Sequence, residues 1–239
     1  MPQSLQPADM PVAILAGGLA TRLRPITEKI PKALVEIAGE PFLFHQLRLL
    51  KRSGLKKVVL CVGYLGEMVQ EVAGDGSAFG LEVAYSFDGP RLLGTGGALR
   101  QALQQLGDSF YILYGDSYLL VDYLSVGKTF LESGQEGLMT VFKNEGQYDT
   151  SNVVYADGSL KIYSKKKRLP EMAHIDYGLG CLHRGTLEKY PSDAAFDLAQ
   201  VYEDLVPSHQ LAGYEVFQRF YEIGSPEGMK ELDNLLAAP

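Results

Sequence analysis

At 239 residues, 46% of them apolar, the chain can bury the core of one large α/β domain or of two small ones. A formal net charge of −7 sets its surface as a whole against nucleic acid and anionic membrane, so an anion site here has to be a local concentration of cations. No run approaches the ~20 apolar residues of a membrane span, no low-complexity tract or internal repeat stands out, and residues 1–10 carry neither Lys nor Arg nor an apolar h-region, which reads as a loose N-terminal tail and not a signal peptide.

The first predicted element is a strand over 12–16. It runs into Gly17 and Gly18, a turn free of side chains, and then into Arg22, Arg24 and Lys32, with Lys29 a fourth cation and Glu28 the only acid between Gly17 and Val35. A strand feeding a glycine loop brings backbone N–H groups close to a ligand, and arginine forks match pairs of phosphate oxygens, so this order suits a polyphosphate. Taken alone, Gly17-Gly18 reads as a plain strand-to-helix turn; the cations and the prolines Pro25 and Pro31 shift the balance. The commoner phosphate loops are absent: GxxxxGK fails because Leu23 stands five residues after Gly18, and GxGxxG fails there and again at Gly94-Thr95-Gly96, where Leu99 takes the last position.

Helix and strand then alternate. A helix near 42–53 is marked by Leu43, Leu47 and Leu50 on one face and ended by Gly54. Strand 57–62, a helix near 65–73, strand 81–86, a helix over 97–106 and strand 110–114 follow. This rhythm predicts parallel βαβ units, which bind ligands beyond the carboxyl ends of their strands, where Gly17 and Asp116 both fall. Asp116 after Gly115 is well placed to hold Mg²⁺ beside a polyphosphate, since that ion takes one or two carboxylates, waters and substrate oxygens; the alternative is a helix cap. After residue 135 the rhythm changes to apolar or β-branched runs at 138–142, 152–155, 159–163 and 175–182, a polar turn at 156–159, and helices near 197–204 and 226–236. With no clean linker, one continuous core is expected. Cys61 and Cys181 sit in apolar runs and read as buried thiols, which fits a reducing cytoplasm. His45, His174, His183 and His209 form no metal-ligand spacing.

The blocks LAGG, TRLRP and PKALVEIAGEPFL, followed by LGTGGAL at 93–99, YGDS at 114–117 and EIGSPEG at 222–228, resemble the sugar-1-phosphate nucleotidyltransferases in family order from about residue 12 to 228. The short chain with LGTGGAL looks most like the heptose- or mannose-1-phosphate guanylyltransferases. The resemblance implies an α/β, Rossmann-like, mostly parallel central sheet flanked by helices, with a mixed-sheet sugar-binding extension. Residues 11–239 would be a single domain, 11–135 the nucleotide-binding half and 136–239 the sugar-binding half.

The implied reaction joins a nucleoside triphosphate to a sugar-1-phosphate, releasing pyrophosphate and a nucleoside-diphosphate sugar, with Mg²⁺ as cofactor and with neither nucleic acid nor membrane as partner. Catalytic roles fall to Arg22, Lys32 and Asp116, and nucleotide contacts to Ala16, Gly17, Gly18, Thr21, Arg22, Arg24, Asp88, Gly94, Thr95 and Gly96. Lys32, Asn152, Lys165, Asp176 and Gly178 would meet the sugar phosphate; Asp116 and Glu222 would hold the metal. Several departures from the family pattern leave choices open. Glu222 stands where many members carry Asp, Ser164 and Lys166 flank Lys165 in place of Glu and Pro, and Lys165, Lys166 or a solvated basic turn all fit that segment. Asp88 can read guanine as an acceptor or simply sit in a surface turn. A uridylyltransferase acting on an amino-sugar-1-phosphate and a catalytically silent sugar-nucleotide sensor are the alternative functions; retention of Arg22, Lys32 and Asp116 counts against the sensor. The sequence sets no oligomeric state.

Overall fold

Apolar side chains alternate between two faces along each central strand, so the sheet they form must be covered on both sides. A computed structural model describes residues 5–237. Its first half contains β1 (Val12–Leu15), β2 (Glu36–Ile37), β3 (Glu40–Pro41), α1 (Phe42–Arg52), β4 (Lys57–Val62), α2 (Gly66–Ala73), β5 (Glu82–Phe87), α3 (Gly94–Leu106), β6 (Ser109–Tyr114), β7 (Ser117–Tyr118) and α4 (Tyr123–Ser133). Then come β8 (Gly137–Lys143), β9 (Val153–Ala156), β10 (Ser159–Tyr163), β11 (His174–His183), α5 (Arg184–Glu188), α6 (Leu198–Leu205), β12 (Leu211–Val216), β13 (Tyr221–Glu222) and α7 (Pro226–Ala237).

The nine-stranded sheet runs β10-β9-β11-β6-β1-β4-β5, with β8 branching from β11 and β12 from β8. β5, β4, β1 and β6 are mutually parallel. β11 lies antiparallel to β6 and β8, and β12 returns parallel to β8. This is the parallel sheet with a mixed extension that the sequence implies. Val12, Ile14, Leu60, Tyr111 and Leu113 pack on one face with the α1 residues Leu43, Leu47 and Leu50. Ala13, Val59, Ile112 and Cys61 face the other way, under Leu99, Leu103 and Leu106 of α3 and Leu198 and Val201 of α6. A third, smaller cluster joins Ile37, Phe42, Tyr118, Ile223 and Leu232, docking α7 on the β7–β13 ribbon.

The two-residue strands β2, β3, β7 and β13, the short α5, and the longer α4 and β12 lie outside the sequence expectations. α4 contains Ser125, Val126, Gly127 and Thr129, all weak helix formers; Asp122 starts it by accepting from the Ser125 N–H at 3.1 Å, and burial of Val126 and Phe130 holds it. β12 is an edge strand whose sheet partner is β8. The loose tail needs correction at its inner end: Pro7–Asp9 is a 3₁₀ turn, Asp9 pairs with Lys56 at 2.8 Å, and Met10 is fully buried. Residues 1–4 of that expected tail lie outside the described residues. Among the described residues no helix is long and apolar enough to cross a membrane.

Candidate active site

Leu15 of β1 is level with Cys61 of β4 and with Tyr114 of β6, so three parallel strands release their chains at one edge. The next residues line a cavity of about 1010 Å³. Gly115 is required there, because a Cβ at that position would lie 2.5 Å from the Leu15 carbonyl oxygen. The close approach puts Asp116 directly beside the loop that follows β1.

That loop is pinned at several points. The Ala16 N–H donates to the Cys61 carbonyl at 2.9 Å, the buried Thr27 hydroxyl donates to Ala20 O at 2.9 Å, and Tyr64 Oη donates to Glu28 O at 3.1 Å. Ala16, Gly17, Gly18, Thr21 and Arg22 line the cavity. Arg22 is exposed and has no hydrogen-bond or ion-pair partner among the described residues. Arg24 is not in the cavity. It ends the 3₁₀ turn Thr21–Leu23 in extended backbone and faces Glu28, 3.8 Å away, because two residues on a three-residue turn point to different sides.

Lys32 enters from another 3₁₀ turn, Lys32–Leu34, and its Nζ donates to Asp116 Oδ2 at 2.7 Å. Its side chain is only 16% exposed. The β7–β13 ribbon sets Glu222 opposite Ser117, and the Ile223 N–H donates to Asp116 O at 2.9 Å. The Glu222 carboxylate accepts from the Gly224 N–H and from Ser225 Oγ, the latter at 2.6 Å. A Cβ on Gly224 would lie 2.5 Å from Glu222 Oε2 and 3.1 Å from Lys32 Nζ, so the ammonium stands close to both acids. Beneath them the buried Gln46 of α1 donates through Nε2 to Ser117 O at 2.8 Å and to Tyr114 O at 3.2 Å, tying the Asp116 turn to a helix. Its Oε1 has no partner among the described residues.

On the other flank, Asp88 Oδ2 accepts from the Leu93 N–H at 3.1 Å; burial pushes its carboxyl up, and that hydrogen bond acts in the opposite direction. Gly94 and Thr95 line the cavity with it. Gly96 does not. It faces Phe196, whose ring a Cβ would meet at 2.3 Å, and its N–H donates to Phe196 O at 3.0 Å. Gly96 therefore serves helix packing, and the same backbone contact starts α3 at Gly94, earlier than the expected 97.

Asn152, Lys165, Asp176 and Gly178 close the far end, and Lys165, unlike Lys166, lines it. Asn152 Oδ1 accepts from the Asp176 N–H at 2.9 Å. Asp176 accepts from the Gly178 N–H at 3.0 Å and from Tyr114 Oη at 3.0 Å, while burial pushes its carboxyl up. Sequence reasoning missed Tyr148, Thr150, Arg168 and Phe220, which also line this end. Tyr148 and Phe220 meet edge to face at 5.9 Å, and Arg219 stacks 4.1 Å over Tyr148. Their only signal was the polar-aromatic composition of the loops that carry them. No histidine lines the cavity. Cys61 does, and burial pushes its thiol up to about 12, which keeps it protonated and unreactive.

The arrangement places cations along one wall, two carboxylates around Lys32, and hydrogen-bonding and aromatic groups at the far end. It can gather two anions and a polyol or base in one cleft. Among the described residues no three His, Cys, Asp or Glu side chains form a metal cage.

A family model described as nucleotidyl transferase matches residues 12–162. The D-glycero-alpha-D-manno-heptose 1-phosphate guanylyltransferase of Campylobacter jejuni is 27% identical over 219 residues, 91% of this chain and 96% of the relative. The mannose-1-phosphate guanylyltransferase catalytic subunit beta of Xenopus tropicalis is 27% identical over 224 residues, 91% of this chain and 62% of the relative, so this chain spans about three fifths of that protein's length. The structure of HddC from Yersinia pseudotuberculosis complexed with GMP-PN has a TM-score of 0.77 and 26% identity, covering 95% of this chain and 99% of that one.

Proposed function

The chain belongs to the nucleotidyl transferase family, and from that premise we propose that it joins a nucleoside triphosphate to a sugar 1-phosphate, releasing pyrophosphate and a nucleoside-diphosphate sugar. The observation that carries this is Lys32 Nζ, held 2.7 Å from Asp116 Oδ2 at the mouth of a glycine loop that also presents Arg22, which has no partner among the described residues. A phosphate oxygen of the sugar phosphate attacks the α-phosphorus, and the bond from that phosphorus to the bridging oxygen of pyrophosphate breaks. The attacking phosphate has a second pKa near ~6, like other phosphomonoesters, so at neutral pH it is mostly ionised and needs no base. A cavity without histidine suits that.

The protein's part is positioning and charge stabilisation. N–H groups of the 17–21 loop cradle the triphosphate, and Arg22 draws charge toward the departing pyrophosphate. Lys32 lies between the two anions and lowers their repulsion. Lys165 meets the sugar phosphate from the far end, with Asn152 and Asp176 offered to sugar hydroxyls. Asp116 with Glu222 is a donor set that fits Mg²⁺, a hard cation content with one or two carboxylates, waters and substrate oxygens. Bound there, the ion would neutralise phosphate charge in the transition state.

Guanine is the proposed base and a heptose or mannose 1-phosphate the proposed sugar, supported by what the Campylobacter, Xenopus and Yersinia relatives are named for or hold. Asp88 keeps one carboxylate oxygen free of the Leu93 bond to accept from the base edge. Two free, buried thiols support a reducing, cytoplasmic setting. Pyrophosphate release from GTP, UTP, CTP, dTTP and ATP, each paired with a panel of sugar 1-phosphates, tests all of this. The highest kcat/KM is expected with GTP; a preference for UTP would remove the guanylyl assignment, and no release with any pair would remove the activity.

A further inference from the structure

The segment before α6 is moulded onto the loop that opens α3. The Phe196 N–H donates to Leu93 O at 3.0 Å, the Gly96 and Gly97 N–H groups donate back to Phe196 O at 3.0 and 3.2 Å, and Tyr190 stacks on Phe196 with centroids 5.0 Å apart. Asp197, the next residue, is thereby fixed at the N-terminus of α6. Its Oδ1 accepts from the Ala199 N–H at 2.8 Å and from Thr95 Oγ1 at 3.2 Å, and Thr95 Oγ1 accepts in turn from the Leu198 N–H at 2.8 Å. Lys165 reaches across from the sugar side and donates to both Asp197 oxygens, at 2.9 and 3.1 Å. Thr95 and Lys165 line the cavity; Asp197 stands behind them.

Resting on the proposed reaction, we propose that Asp197 is an internal counter-anion that occupies Lys165 until the sugar phosphate displaces it, and so sets how tightly that substrate is held. The carboxylate cannot follow Lys165 toward a ligand, because the helix N–H and the Thr95 hydroxyl keep it in place. Burial pushes the Asp197 carboxyl up, but the Ala199 N–H and the Lys165 ammonium outweigh this and hold it below the usual value, so at neutral pH it is a full anion. Every ligand phosphate must therefore take Lys165 from it. A ligand meeting Lys165 alone, such as inorganic phosphate, gains little from the exchange. A sugar phosphate that also reaches Asn152 and Asp176 loses affinity by the same factor but keeps those further contacts, so it still binds where phosphate alone scarcely does.

The side chains of Lys165 and Asp197 are 41% and 53% exposed, which limits the effect to that of an exposed ion pair, about two- to fivefold in affinity. Asp197→Asn keeps an oxygen for the Ala199 N–H and removes the charge, so the helix start survives. Titration calorimetry with mannose 1-phosphate and with inorganic phosphate is expected to show both bound about two- to fivefold more tightly by Asp197→Asn than by the wild type. The gain should vanish when Lys165→Ala is added, and in turnover the sugar-phosphate KM should fall while kcat holds. Unchanged or weaker binding in Asp197→Asn, or a gain that persists without Lys165, overturns the proposal. If mannose 1-phosphate does not bind the wild type but phosphate affinity follows the Asp197 and Lys165 changes as described, the counter-anion stands and the substrate assignment falls.

Discussion

Lys32 and Asp116 form a pair in which each partner has a separate duty, so their variants should fail differently. Lys32→Ala removes a charge-assisted contact worth about 1.5 to 3 kcal/mol, which predicts a loss of roughly 10- to 150-fold in kcat/KM. Stability should change far less, because Asp116, with 40% of its side chain exposed, can be hydrated once the ammonium is gone. Steady-state kinetics beside a melting curve checks this, and an unchanged kcat/KM with a normal Tm would remove Lys32 from the reaction. Asp116→Asn keeps the shape of the turn and its backbone bond to Ile223 while making one proposed ligand neutral. Activity should fall by orders of magnitude in Mg²⁺, and Mn²⁺ binding followed by paramagnetic relaxation should weaken in step, since an amide oxygen is a poor ligand for a hard cation. Full activity in the variant, or in wild type treated with chelator, would contradict the metal assignment. These positions were legible because their chemistry follows from residue type beside a glycine turn. Arg24 shares that residue type, yet its direction is set by a 3₁₀ turn that spacing alone does not reveal. Tyr148, Arg168 and Phe220 were hidden for another reason: they lie on loops with no regular period, and only tertiary packing brings them to the cavity.

α1 shows how an element far from the substrate can govern the site. Its leucine face was readable from the 3.6-residue period, and that face buries as expected. Gln46 on the same helix was not, because a polar residue inside an apolar stripe gives no sign of its partner. The structure supplies it: one amide nitrogen bridges Tyr114 O and Ser117 O on either side of Asp116. Gln46→Leu should cost stability, at about 1 to 3 kcal/mol for each carbonyl left buried without a donor, partly offset by removal of the partnerless Oε1. Gln46→Glu should be worse than Gln46→Leu, because it turns carboxyl oxygens toward two carbonyl oxygens. In both, kcat should drop more than KM for either substrate changes, and amide exchange at 115–118 should quicken. Equal kcat in wild type and both variants would mean that the Asp116 turn holds itself. α4 and β12 mark the limit of element-level reading: one has weak propensities rescued by an Asp122 cap and burial, the other gains its identity from pairing with β8.

At the scale of the whole molecule, the site joins Lys32, Asp116 and Glu222, three residues spread over most of the chain, and the last arrives only because the C-terminal helix docks. α7 is held through Leu232, fully buried against the cluster of Ile37, Phe42, Tyr118 and Ile223. That cluster is separate from the two that sandwich the main sheet, and the ribbon it supports is two short strands. A small satellite core is where local opening costs least. Leu232→Ala should remove about 2 to 5 kcal/mol of packing from this region, the range for a buried leucine truncated to alanine. The consequence should be uneven. Amides of β13 and of Gly224 and Ser225 should exchange faster while those of β1 and β6 keep most of their protection, and activity should decay at temperatures where the circular dichroism of the sheet is still native. The order follows from the topology: Asp116 hangs from β6 inside the parallel sheet, whereas Glu222 is carried by the ribbon and the small cluster that docks α7 on it. Loss of protection spread evenly over β1, β6 and β13 would show instead that the three clusters open as one, and that Glu222 is as firmly built into the molecule as Asp116.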